Sequence, residues 1–125
     1  MQMRRVSVVA TVAAVALGLG AVAAPASLAK ATKPKVVMVL DNFYKPDSVR
    51  VRKGGRVRWD WGPDFNVHNV TLKKAPRGVK KSRFRSQTTN DADYAFAKRF
   101  RKVGKYRFYC TIHPESMRMT VRVHR

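Results

Sequence analysis

Val49-Arg50-Val51-Arg52-Lys53-Gly54-Gly55-Arg56-Val57-Arg58-Trp59-Asp60-Trp61 is the stretch that decides the architecture. Apolar and charged residues alternate on both sides of a Gly-Gly pair. A strand turns successive side chains to opposite faces, so a period of two means half-buried β-strands, here joined by a tight turn. Both tryptophans fall on the apolar side, which makes them core residues rather than a platform for a ligand.

The same period recurs toward both ends of the chain. Val36 to Leu40 is a β-branched run, and Val67 to Leu72 is another short strand candidate. Tyr94, Phe96, Lys98 and Phe100 alternate with Ala95, Ala97 and Arg99. Tyr106, Phe108 and Cys110 alternate with Arg107 and Tyr109, and Met117, Met119, Val121 and Val123 with Arg118, Thr120 and Arg122. Phe84 starts a further short strand. Asn42 to Asp47, which contains Pro46, reads as a turn or irregular crossing, and Gln87 to Asp93 as a turn. Beyond a brief helical turn near Ala92–Ala97, no window after residue 30 carries a helical period. Seven or eight short strands between regular turn signals predict an all-β sandwich.

The N-terminus has a different character. Arg4 and Arg5 precede an uncharged stretch, Val6 to Ala29, dominated by Ala, Val, Gly and Leu. It closes on small residues that fit a cleavage site at Ser27 and Ala29 or at Ala29 and Ala31. Residues 1–29 are therefore read as an export signal and 30–125 as the domain. The stretch is also long enough to span a bilayer, so a retained anchor is the alternative. No cysteine lies near the cleavage region, which excludes a lipoprotein anchor. The expected location is extracellular, periplasmic or envelope-associated.

Charge is the second global feature. The chain carries a formal +20, and removing 1–29 takes away Arg4 and Arg5 and no acid, leaving +18. Basic residues crowd Lys73–Arg85 and Lys98–Lys105. Such a field attracts anions. Outside a cell these are anionic membranes, wall polymers or an acidic protein; no basic-plus-aromatic stacking pattern points to nucleic acid.

Cys110 is the single cysteine, so no intramolecular disulfide can form. An unpaired thiol in an exported chain implies an intermolecular bridge, a reactive thiol or a metal ligand. Its neighbours favour the last: Cys110-x-x-His113-x-x-x-Met117 sets three donors on a loop between two strands, and His68 lies upstream. Thiolate and thioether are soft donors, imidazole suits both oxidation states of copper, and two His, one Cys and a weak axial Met describe a blue-copper site. No oxyanion hole or orienting carboxylate is visible that would make Cys110 and His113 a nucleophilic pair.

These residues carry a resemblance. Tyr106-Arg107-Phe108-Tyr109-Cys110-Thr111-Ile112-His113-Pro114-Glu115-Ser116-Met117 resembles the copper loop of the plastocyanin and amicyanin branch of cupredoxins. Phe43-x-x-Pro46-x-x-Val49-x-Val51-x-x-Gly54, then Val57-x-Trp59, is similar to that family's second and third strands, and His68-Asn69-Val70 to its upstream His-Asn-Val. The resemblance spans Val36 to Val123. It implies a Greek-key sandwich binding one copper ion through His68, Cys110, His113 and Met117. It further implies a one-electron carrier, not an enzyme; the positive charge adds the expectation of a redox partner with an acidic docking face. Asn69 would tie the ligand-bearing segments together, Pro114 would stiffen the loop, and His113 would be the electron exit. The family commonly has Gly where this chain has Met119, which leaves Met119 as an alternative axial donor. The same donors would also serve a protein that captures or delivers copper without redox turnover, and charge alone would allow a metal-free anion-binding module.

Overall fold

The structure, a computed structural model, describes residues 18, 20–22 and 31–125. Apart from those first four positions, the segment assigned to export lies outside the described residues. Eight strands follow in order: β1 (Lys35–Leu40), β2 (Phe43–Lys45), β3 (Ser48–Arg52), β4 (Arg56–Trp61), β5 (Thr71–Lys74), β6 (Ala95–Arg99), β7 (Gly104–Tyr109) and β8 (Arg118–His124). One 3-10 turn, Lys81–Arg83, interrupts them, and no α-helix occurs among the described residues. No helix there is long and apolar enough to cross a membrane.

The strands form two four-stranded sheets, β2-β1-β4-β6 and β3-β8-β7-β5. Each is mixed: β1 runs parallel to β4 and β3 parallel to β8, while the other neighbours are antiparallel. The alternating apolar positions meet between the sheets. Val37, Val39, Val57, Trp59 and Trp61 come from one, and Val49, Val51, Leu72, Tyr106, Phe108, Met119, Val121 and Val123 from the other. Trp59 is fully buried and packs on Phe108 across the interior, with ring centroids 5.1 Å apart. Truncating a buried aromatic of this kind costs about 3–5 kcal/mol.

Two local expectations are corrected, and the tight turn at Gly54-Gly55 joins strands of different sheets. The strands around Gly54-Gly55 do not pair with each other; β3 lies beside β8 and β4 beside β1, so the turn carries the chain from one sheet to the other. Alternation specifies which side chains face inward but not which strand lies alongside. Gly54 takes φ 85°, and its N–H donates to the Phe100 carbonyl. The Asn42–Asp47 segment contains a strand, because Tyr44 is drawn into the interior and its hydroxyl donates to the Asn69 carbonyl at 2.5 Å. The stretch near Ala92–Ala97 is an aspartate-stabilised turn leading into β6. Asp91 accepts from the backbone N–H groups of Asp93 and Tyr94, and pairing with β4 then keeps the backbone extended.

Register places the start of β5, the end of β7 and the start of β8 together. Thr71 faces Tyr109, and Tyr109 faces Arg118. The β4–β5 connection and the β7–β8 loop therefore meet at one end of the sandwich.

Candidate metal centre

Cys110 immediately follows β7 and continues its inward alternation after Tyr106 and Phe108, so its thiol is fully buried. That burial removes both an intermolecular bridge and a solvent-facing reactive thiol. The loop after it is short and closed on itself. The Cys110 N–H donates to the Met117 carbonyl and the Met117 N–H to the His113 carbonyl, each at 3.0 Å. His68 arrives from the β4–β5 connection, where it exchanges two backbone hydrogen bonds with Thr89, both at 3.0 Å.

The loops converge on three donor atoms. His68 Nδ1 lies 3.3 Å from His113 Nδ1, and Cys110 Sγ lies 3.8 Å from the same nitrogen. All three atoms are within 4.8 Å of one another. Donors sharing one ion through bonds of about 2.0–2.3 Å have this spacing. His68 and Cys110 are fully buried and His113 is half-buried.

The two methionines separate. Both are buried, but Met119 Sδ accepts a hydrogen bond from Trp59 Nε1 at 3.0 Å, in the interior between the sheets. Met117 precedes β8 and is held beside Cys110 by the Cys110 N–H bond to its carbonyl. The arrangement favours Met117 over Met119 as the thioether donor.

Asn69 joins the two segments. Its Nδ2 donates to Thr111 Oγ1 at 2.7 Å and to Thr88 Oγ1 at 3.0 Å, while its Oδ1 accepts from the Thr111 N–H at 3.1 Å. Its backbone N–H points at Cys110 Sγ, 3.5 Å away. Burial, with the nearby Cys110 sulfur adding to it, raises the Tyr44 phenol far above the ordinary tyrosine range, so its hydroxyl remains a donor to Asn69. Pro114 is exposed, and its carbonyl accepts from Arg118 Nε at 2.8 Å, bracing the loop against β8.

Sequence reading missed Asp64. Its carboxylate is hydrogen-bonded to His68 Nε2, on the ring edge away from His113, and its side chain is only 4% exposed. The Asn66 backbone N–H, and then His68, hold its carboxyl below the usual range against the opposing effect of burial. Such a partner keeps the proton on Nε2 and leaves Nδ1 free to coordinate. An Asp four residues before a donor histidine, in Gly62-Pro63-Asp64, was the available signal.

Known proteins resemble this chain. The family described as copper binding proteins, plastocyanin/azurin family, matches residues 35–124. The amicyanin of Paracoccus versutus (Thiobacillus versutus) is 33% identical, over 73% of this chain and 81% of that one, with a TM-score of 0.61. A purple cupredoxin from Nitrosopumilus maritimus is 25% identical, over 71% of this chain and 98% of its own, with a TM-score of 0.59. A copper-containing nitrite reductase from Thermus scotoductus SA-01 shares the fold at 23% identity and TM-score 0.64. It is matched over 80% of this chain, which spans only 25% of the enzyme. No curated protein sequence matches the chain.

Proposed function

Because this chain belongs to the copper-binding proteins of the plastocyanin/azurin family, we propose that it is an exported one-electron carrier. His68, Cys110, His113 and Met117 are the residues that would hold its copper ion. Copper bound by such a set supplies a Cu(I)/Cu(II) couple. The carrying observation is the buried thiol lying 3.8 Å from one imidazole nitrogen, which is itself 3.3 Å from the other.

The chain's own residues do the rest. Asp64 orients the His68 ring, Asn69 holds the two loops at a set separation, and the Cys110–Met117 and Met117–His113 bonds keep the loop from opening. Donors held this firmly by protein suit a centre that changes charge without rearranging, which favours a carrier over a copper-delivery protein. His113 is half-buried, and Ile112 beside it is 50% exposed, an apolar approach for electrons at this end of the molecule. The partner would present an acidic docking face to a domain of +18. Residues 1–29 would direct export, and 30–125 would work outside the cytoplasm or at the envelope.

The deciding measurement is one optical and EPR spectrum of copper-loaded protein. We expect an intense blue thiolate-to-copper band, bleached by Cys110→Ser. A colourless Cu(II) complex would overturn the proposal.

A further inference from the structure

The strands of the β3-β8-β7-β5 sheet present cations on its outer face, with Asp47, just before β3, sharing a hollow with Lys73, Lys74, Arg107 and Arg118. None of its four strands contains an Asp or Glu at any position. Register sets the cations side by side. Arg50 faces Arg122, and Arg122 faces Lys105, so three cations form a row across three strands. Strand spacing puts neighbours in that row about 4.8 Å apart. One step along, Arg107 lies opposite Lys74. A register shift between Leu72 and Lys74 leaves two consecutive lysines exposed, and Lys74, Lys105 and Arg107 line one hollow of about 310 Å³. Among the described residues of these strands, Arg118 alone has a salt bridge, to Glu115 at 2.8 Å.

Like charges directly opposite destabilise a sheet. Arg107, and then Arg122, hold the Lys105 ammonium below its ordinary value. A face shaped only for solubility would intersperse signs.

We propose that this face docks the protein on an anionic phospholipid bilayer. The inference rests on charge and register, and stands whether or not copper is bound. Three observations choose the bilayer. The exposed large apolar residues of the domain, Val36, Phe43, Phe65, Val67, Val103 and Ile112, lie outside these four strands, so the face lacks the anchors of a protein interface. Tyr109, the aromatic residue on the face, is covered by Lys73 Nζ 5.3 Å from its ring centre and offers no free stacking platform for bases. The chain also enters the domain here, because Thr32, Lys33 and Lys35 share a hollow with Arg50, Arg52 and His124. Lys33 and Lys35 thus add two further cations beside this face.

The test uses the full chain and vesicles of about three parts phosphatidylglycerol to seven of phosphatidylcholine, against pure phosphatidylcholine. Partitioning onto the anionic vesicles should be at least about tenfold stronger and should weaken as NaCl rises from about 50 to about 200 mM. Each surface cation contributes up to about fivefold, so replacing Arg50, Lys105, Arg107 and Arg122 together by Gln should remove most of the preference, at least about tenfold. The same replacement of Lys80, Lys98, Arg101 and Lys102, which line a separate hollow, should remove far less. Relief of repulsion should leave the first variant melting no lower than the parent; if it fails to fold, the single changes Lys105→Gln and Arg122→Gln are read in its place. Equal losses in the two quadruple variants would mean net charge alone acts, and would overturn the assignment. So would equal binding to both vesicle types. Face-dependent binding to soluble polyphosphate without any vesicle preference would likewise overturn it in favour of a polymer.

Discussion

Met117 and Met119 differ by two positions and point the same way along a strand, so alternation could not choose between them. The interior of the sandwich chooses. Trp59 must bury its indole N–H, and the Met119 sulfur is the acceptor that satisfies it. Met119→Leu should therefore destabilise the protein by about 1 kcal/mol in urea titration, the low end for an orphaned donor because a thioether accepts weakly. It should leave the reduction potential of copper-loaded protein unchanged. Met117→Gln should do the reverse, keeping the metal while shifting the potential seen by voltammetry. Reversed sensitivities would mean that Met119 is the axial donor. Cys110, His113 and Met117 stood out in the sequence because soft donors rarely cluster by accident within one loop. Asp64 did not, because its tie to His68 depends on how residues 62–67 fold back, and spacing does not record that.

Strands were legible as strands, and their inward faces could be read from a period of two. Their partners could not. The hydrophobic pattern of β3 would be satisfied on either layer, and its parallel pairing with β8 is decided by contacts some 70 residues apart in the chain. The β7–β8 hairpin was easier, since both strands flank one short loop and carry donors at its ends. Gly104 opens β7 at φ 143°, where a side chain is strained, and a Cβ there would sit 2.5 Å from Pro76 Cγ. Gly104→Ala should lower stability by about 1–3 kcal/mol in urea titration, through strain and this clash together. Because the donors lie at the opposite end of β7, the copper-loaded spectrum should not change. A bleached variant would show that this strand transmits distortion along its whole length.

Charge was the most legible property of the whole molecule and its arrangement the least. A formal +20 follows from counting, whereas the cross-strand rows exist only after two sheets have formed. Net charge of this size repels itself in the compact state, and salt screens it. The melting temperature should therefore climb by about 4–8 °C for each 1 kcal/mol that screening recovers as NaCl is raised from about 10 to about 300 mM. A flat or falling trend in a calorimetric melt would show that the cations are compensated locally. The Asn69 knot has a consequence for how such a molecule is made. It stitches both halves of the donor set with ordinary amide and hydroxyl groups, so nothing in the scaffold waits on an ion to complete it. Zinc fingers, in contrast, collapse when stripped. A domain whose donor set is framed this way is expected to hold its fold without the ion, so copper-free protein should still melt cooperatively.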